Sequence, residues 1–251
     1  LIKFFMTIPD SLEAAIQQAK TATLTALEGG CHRIQVELVF PEIALEAQNI
    51  ARQFAELFLD YSSGLKVLFA DTGAAALARR DWGDVPFLVN DLGSRFTPVE
   101  TKVSESDQLF LVVCPSAVEV EAVEKLCNLA GDRPVLLLIP QLESVATVGI
   151  GSTARQLRER FLSTLETAYY IKPFEGGVVY RTYPELWQVW TDAPAPVVGY
   201  TLIAEEPERP AGDRLERILM GSAESNPDVV PTPKKKGLLG NLGQMLKALS
   251  Q

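Results

Sequence analysis

Apolar positions along the first two thirds of the chain switch between two spacings: three to four residues apart, and alternate or continuous. Helices interleaved with strands give this pattern. Leu12, Ala15, Ile16, Ala19 and Ala22 recur at helical spacing behind Asp10 and Ser11, either of which can cap the first turn, and Gly29-Gly30 ends the helix after about residue 28. Ile34, Val36, Leu38 and Phe40 then mark one face of a strand that Pro41 stops, and Glu42 opens a long helical pattern reaching about residue 61. Residues 65–70, 86–90, 108–114 and 134–139 read as short strands, and 72–80, 117–129 and 153–165 as helices. The strands QLFLVVC and PVLLLI are apolar almost throughout, as in strands covered on both faces.

This order predicts an α/β fold, a mainly parallel sheet flanked by helices in three Rossmann-like layers with right-handed crossovers. Beyond residue 165 the period shortens. Residues 168–171, 178–182, 187–190 and 197–203 read as turn-linked strands, an antiparallel C-terminal extension, and 213–220 as a short helix. Residues 1–220 are therefore expected to form a single α/β domain.

The end of the chain is different. Residues 221–236 are rich in Ser, Asn, Pro and Lys and read as a disordered linker. In residues 237–251, Leu238, Leu239, Leu242, Met245, Leu246 and Leu249 share one helical face, behind the run Lys234, Lys235 and Lys236. Gly237, Gly240 and Gly243 each cost up to about 1 kcal/mol of helix propensity. The segment is thus expected to fold on contact, with an anionic membrane surface, a protein partner or its own domain.

Charge sharpens this division. The chain has 32 acidic and 23 basic residues. Every acidic residue lies at or before Asp228 and four basic ones lie after it, which puts a formal −13 before the boundary and +4 after it. So acidic a body argues against a nucleic-acid partner. The one histidine, His32, excludes multi-histidine metal sites and leaves little room for a Ser–His–Asp triad. Cys31, Cys114 and Cys127 form no CxxC pair, which suggests reduced thiols, with Cys114 and Cys127 expected to be buried packing residues. No apolar run reaches the roughly 18–20 residues that span a bilayer, and residues 1–7 lack the features of a secretory signal.

Three places carry candidate chemistry. Asp71 and Gly73 follow one strand and Asp91 another, at the rim where open α/β sheets gather ligands, although Asp residues there also serve as caps. Gly149, Gly151 and Ser152 precede a helix whose N–H groups can hold a phosphate, with Ser152 as a plain N-cap the simpler reading. Glu37 lies within a strand, out of phase with its apolar neighbours and on the face of Gln35, with Arg33 available as a partner. Tyr169, Tyr170, Tyr180, Tyr183, Trp187 and Trp190 crowd the antiparallel part, as core or as a contact surface.

Several stretches resemble a known family in their order: IPDSLEAA (8–15), RIQVEL and FPE (33–42), FADTG (69–73), RPVLLLIPQL (133–142), and 158–170 leading to Arg181 and Trp187. They are similar to a cyanobacterial and plastid family built on a domain of unknown function, which includes the plant protein Low PSII Accumulation Three. Where the family tends to carry Asn-Pro, this chain has Ile139-Pro140. The resemblance implies a non-enzymatic factor for photosystem II assembly or accumulation, peripheral to the cytoplasmic (stromal-equivalent) face of the thylakoid. Its partner would be a photosystem subunit or another assembly protein. The resemblance identifies no catalytic residue, and the cofactor is unknown. The alternative is a small-ligand or nucleotide-binding enzyme working at the rim near Asp71 and residues 149–153.

Overall fold

The computed structural model of the chain describes residues 7–93, 96–142, 152–194 and 196–224. Nine strands are present in them: β1 (Arg33–Leu38), β2 (Leu65–Phe69), β3 (Leu88–Asp91), β4 (Leu109–Val113), β5 (Val135–Leu138), β6 (Glu166–Phe174), β7 (Gly177–Thr182), β8 (Trp187–Asp192) and β9 (Tyr200–Glu206). They form one sheet in the order β3-β2-β4-β5-β1-β6-β7-β8-β9. Every pairing from β3 through β6 is parallel, and those from β6 to β9 are antiparallel. The fold is the expected α/β one, parallel through six strands and extended by a meander.

Helices cover both faces of the parallel part. On one side α1 (Leu12–Glu28), α2 (Ala47–Ala55) and α3 (Thr72–Trp82) pack on Ile34, Val36 and Leu38 of β1 and on Val67, Leu111 and Leu136. On the other, α4 (Val120–Ala130) and α5 (Ser152–Arg160) pack on Phe110, Val112, Val135 and Leu137. β2, β4 and β5 are buried along their whole length, which is why their sequences show no alternation. The meander carries a smaller cluster of Tyr170, Val179 and Trp187, against which Phe174 and Leu215 pack. Leu215 belongs to α6 (Gly212–Glu224).

Capping follows the local chemistry. The Ser11 side chain accepts from the Ala14 N–H at the start of α1, and the Asp71 side chain accepts from the Ala74 N–H at the start of α3. Three elements depart from expectation. The single helix expected from residue 42 to about 61 is instead a 3-10 turn (Ile43–Glu46), α2, and a second 3-10 stretch (Glu56–Gly64). Phe58 (φ −122°) and Ser62 (φ 47°) leave helical geometry there, and Phe58 is buried by doing so. Likewise the helix expected to run to residue 165 ends at Arg160, because Phe161 (φ −130°) turns into the core and a 3-10 turn, Leu162–Thr164, follows. Finally, α6 runs through Gly221 to Glu224, into the stretch read as linker, since one glycine weakens a helix without ending it.

The connections decide where the sheet opens. The chain leaves β1 and β2 toward the α1–α2–α3 face, and leaves β4 and β5 toward the α4–α5 face. Neighbouring strands β5 and β1 therefore send their chains to opposite sides, as neighbouring β2 and β4 also do. Such a switch point leaves a crevice beyond the carboxyl ends of the strands.

Candidate functional site: a cleft beyond β1, β5 and β6

A cleft of about 370 Å³ occupies this crevice. Its walls come from the ends of β1 and β5, the face of β6, the turn at Leu162 and Leu165, and Arg209 from the loop between β9 and α6. The polar side of β1 supplies Gln35 and Glu37, set opposite Thr167 and Tyr170 of β6. Alternation explains this: Ile34, Val36 and Leu38 face α1, so the odd-numbered residues face the cleft.

Each polar group is held. Gln35 Nε2 donates to Thr167 Oγ1 at 2.8 Å. Arg209 Nη1 donates to Glu37 Oε2 at 3.0 Å and to Oε1 at 3.3 Å. The same guanidinium lies 5.3 Å from the centre of the Tyr170 ring and 5.6 Å from that of Trp187. The Trp187 ring also meets the Arg181 guanidinium at 5.3 Å, and Arg181 Nη2 donates to Glu166 Oε1 at 2.6 Å. Tyr170 and Trp187 meet edge to face, with centroids 5.0 Å apart. Cation–π contacts in partly dry settings contribute about 0.5–2 kcal/mol each, so this stack is a brace as well as a surface. Burial pushes the Tyr170 phenol up to about 12; the Glu37 charge adds to the rise and Arg209 opposes it. Tyr170 is therefore a neutral wall at physiological pH. Two residues further along β6, on the same face, Lys172 lines the cleft from an exposed position and has no ion pair among the described residues.

The ends of β4 and β5 share an unusual turn. Cys114 (φ 50°) and Ile139 (φ 51°) are left-handed, and each precedes a proline. A β-branched residue in this region is strained. Pairing persists beyond the turns: the Gln141 N–H donates to the Pro115 carbonyl at 2.7 Å, and Ser116 bridges Gln141. The bend leaves Ile139, Pro140 and Gln141 lining the cleft. Backbone strain of this sort gathers at functional sites.

The structure separates the residues that the sequence grouped as a rim. Glu37 is in the cleft, but its partner is Arg209 and not Arg33. Arg33 sits four residues nearer the amino end of β1 and donates instead to Thr164 Oγ1 and Asn128 Oδ1, both at 3.2 Å. Asp71 follows β2 and Asp91 is the last residue of β3, and β4 and β5 lie between β2 and the cleft strand β1. Asp71 is occupied as the cap of α3, and Gly73 lies in that first turn. Asp91 Oδ1 accepts from the Gly93 N–H at 3.0 Å and pairs with Lys102 Nζ at 3.2 Å. None of these three lines the cleft. Ser152 is the first residue of α5, while Gly149, Gly151 and the tail residues 234–249 lie outside the described residues.

Sequence reasoning missed Arg209, Lys172 and Gln141. Arg209 sits in EEPERP, a charged turn with no local sign of a partner in β1, 172 residues away.

Cys127 is buried as expected, and burial pushes its thiol up to about 12. Cys114 was expected to be buried but is half-buried, because its left-handed turn swings it out of the strand row; its thiol is pushed up to about 11. Among the described residues, no group of three or more His, Cys, Asp and Glu is placed to hold a metal ion, and no helix is long and apolar enough to cross a membrane. The model of the family described as Domain of unknown function (DUF1995) matches residues 9–217. The match covers all nine strands and the start of α6, and stops short of the basic amphipathic tail.

Proposed function

We propose, from the premise that the chain belongs to the family described as Domain of unknown function (DUF1995), that it is a non-enzymatic binding module. In this reading the cleft is its recognition pocket and residues 237–251 are the element that recruits it. One observation carries the reading. Glu37, the only carboxylate that lines the cleft among the described residues, is held by Arg209 inside an aromatic stack. A carboxylate so committed shapes a surface and is badly placed to exchange protons. The alternative of an enzyme at the rim near Asp71 is weakened by the roles Asp71 and Asp91 already fill as cap and ion-pair partner.

The biological setting comes from the resemblance to the family that includes Low PSII Accumulation Three. On that basis the chain serves photosystem II assembly or accumulation at the cytoplasmic face of the thylakoid. Its target is a photosystem subunit or an assembly protein. The charge division supports recruitment by the tail: an acidic body is repelled by an anionic leaflet, while each lysine near that surface contributes about 1 kcal/mol of attraction.

Flotation with anionic, thylakoid-like vesicles tests this reading. The full-length chain should float, less at high salt, and a 1–230 truncation should not float while keeping its melting temperature. If neither chain floats, recruitment by the membrane is wrong. If truncation lowers the melting temperature by several degrees, the tail is part of the body.

A further inference from the structure

We infer that the cleft beyond β1, β5 and β6 takes a small organic anion, a carboxylate or phosphate ester on a compact apolar body. The inference rests on the reading of the cleft as a recognition pocket and adds the class of its ligand.

Charge is the first ground. Arg209 and Glu37 pair with each other, which leaves Lys172 as the charge without an ion pair on the described part of the walls. Described walls with a net positive charge stand out on a body with a formal −13 before residue 229. Low-dielectric walls focus such a field into the opening, so the cleft attracts anions that the rest of the surface repels.

Shape is the second ground. At about 370 Å³ the cleft lies at the small end of ligand pockets, enough for a metabolite-sized molecule and too small for a dinucleotide. Phe40, Ile43, Leu142, Leu162 and Leu165 offer apolar contact. The Gln35 and Gln141 amides and the Lys172 ammonium offer polar contacts. Pre-organisation is the third. Gln35 is fixed by Thr167, the Tyr170 wall by the arginine stack, and Ile139 by a strained turn, so the pocket exists before the ligand arrives.

A matched set of probes on the full chain tests this: benzoate and phenyl phosphate as anions, benzamide as the neutral body, benzylammonium as the cation. Binding is followed by two-dimensional NMR of backbone and indole N–H groups. Both anions should shift the Gln141 and Lys172 amides and the Trp187 indole. The exposed substitution Lys172→Glu should weaken both anions at least tenfold and leave benzamide unchanged. If benzamide or benzylammonium binds at the cleft as tightly as the anions, the pocket stands and the ligand class is wrong. If no probe shifts these residues, the recognition pocket itself is wrong. If only one anion binds and depends on Lys172, that outcome supports the inference and separates the carboxylate source from the phosphate one.

Discussion

Lys66 lies within β2 at 5% exposure, in a strand otherwise made of Leu, Val and Phe. Its ammonium donates to Asp107 Oδ2 at 2.6 Å and to the Lys102 carbonyl at 2.5 Å, and Asp107 is itself 1% exposed. Asp107 Oδ2 also accepts from the Ser104 N–H, while Oδ1 has no partner among the described residues. Removing one member of such a pair strands the other charge in the core. Lys66→Met should therefore destabilise the fold by about 3–5 kcal/mol, and Lys66→Met with Asp107→Leu by much less, as read by urea unfolding. The apolar run located the strand, but it could not reveal a lysine within it whose partner lies 41 residues on. The tyrosines give a pH signature. Burial raises Tyr169, Tyr170 and Tyr180 above the ordinary value of 10, Tyr170 to about 12. A raised folded-state value means the stabilisation is complete below pH 10 and is lost as pH climbs through the folded-state values. Tyrosinate absorbance should accordingly stay low up to pH 10 for these three and then rise together with unfolding. A gradual rise with the near-UV circular dichroism intact would contradict their burial.

Helix α1 is joined to the sheet by packing and by one amide. Gln18 Oε1 accepts from both the Tyr169 and Tyr180 hydroxyls at 2.9 Å, and Gln18 Nε2 donates to the Thr7 carbonyl at 3.0 Å. Tyr169 and Tyr180 are among the largest fully buried side chains and meet edge to face at 5.6 Å. Gln18→Leu keeps the bulk and leaves two phenols without their acceptor. It should cost about 1–3 kcal/mol or more, and α1 amides should lose hydrogen-exchange protection before those of β2 and β4. At this scale the sequence was most informative. Caps at Ser11 and Asp71, and apolar strands at β4 and β5, appear where local pattern put them. It was least informative where a distant core claimed one residue. Phe58 and Phe161 fit the helical period on either side of them, and both break it to be buried.

Across the whole molecule, the class of fold follows from the alternation of element types, whereas the cleft joins residues from β1, β5, β6 and the loop after β9. Of these, Glu37 could be singled out from sequence, because a carboxylate in an apolar strand demands a partner. Which partner it finds depends on how the sheet is wired, and no local pattern reports that. The wiring places β1 between β5 and β6. The first of these nine strands to be made is thus the one that must wait longest. β1 is complete at Leu38, its neighbour β5 begins at Val135, and its neighbour β6 begins at Glu166. Through the synthesis of about a hundred residues, Ile34, Val36 and Leu38 have α1 to pack against but no strand on either hydrogen-bonding edge. Unpaired edges of this kind invite pairing with other chains, and distant pairing is slow to form. The nascent protein therefore has to be kept from its neighbours until the middle of its own sheet can close.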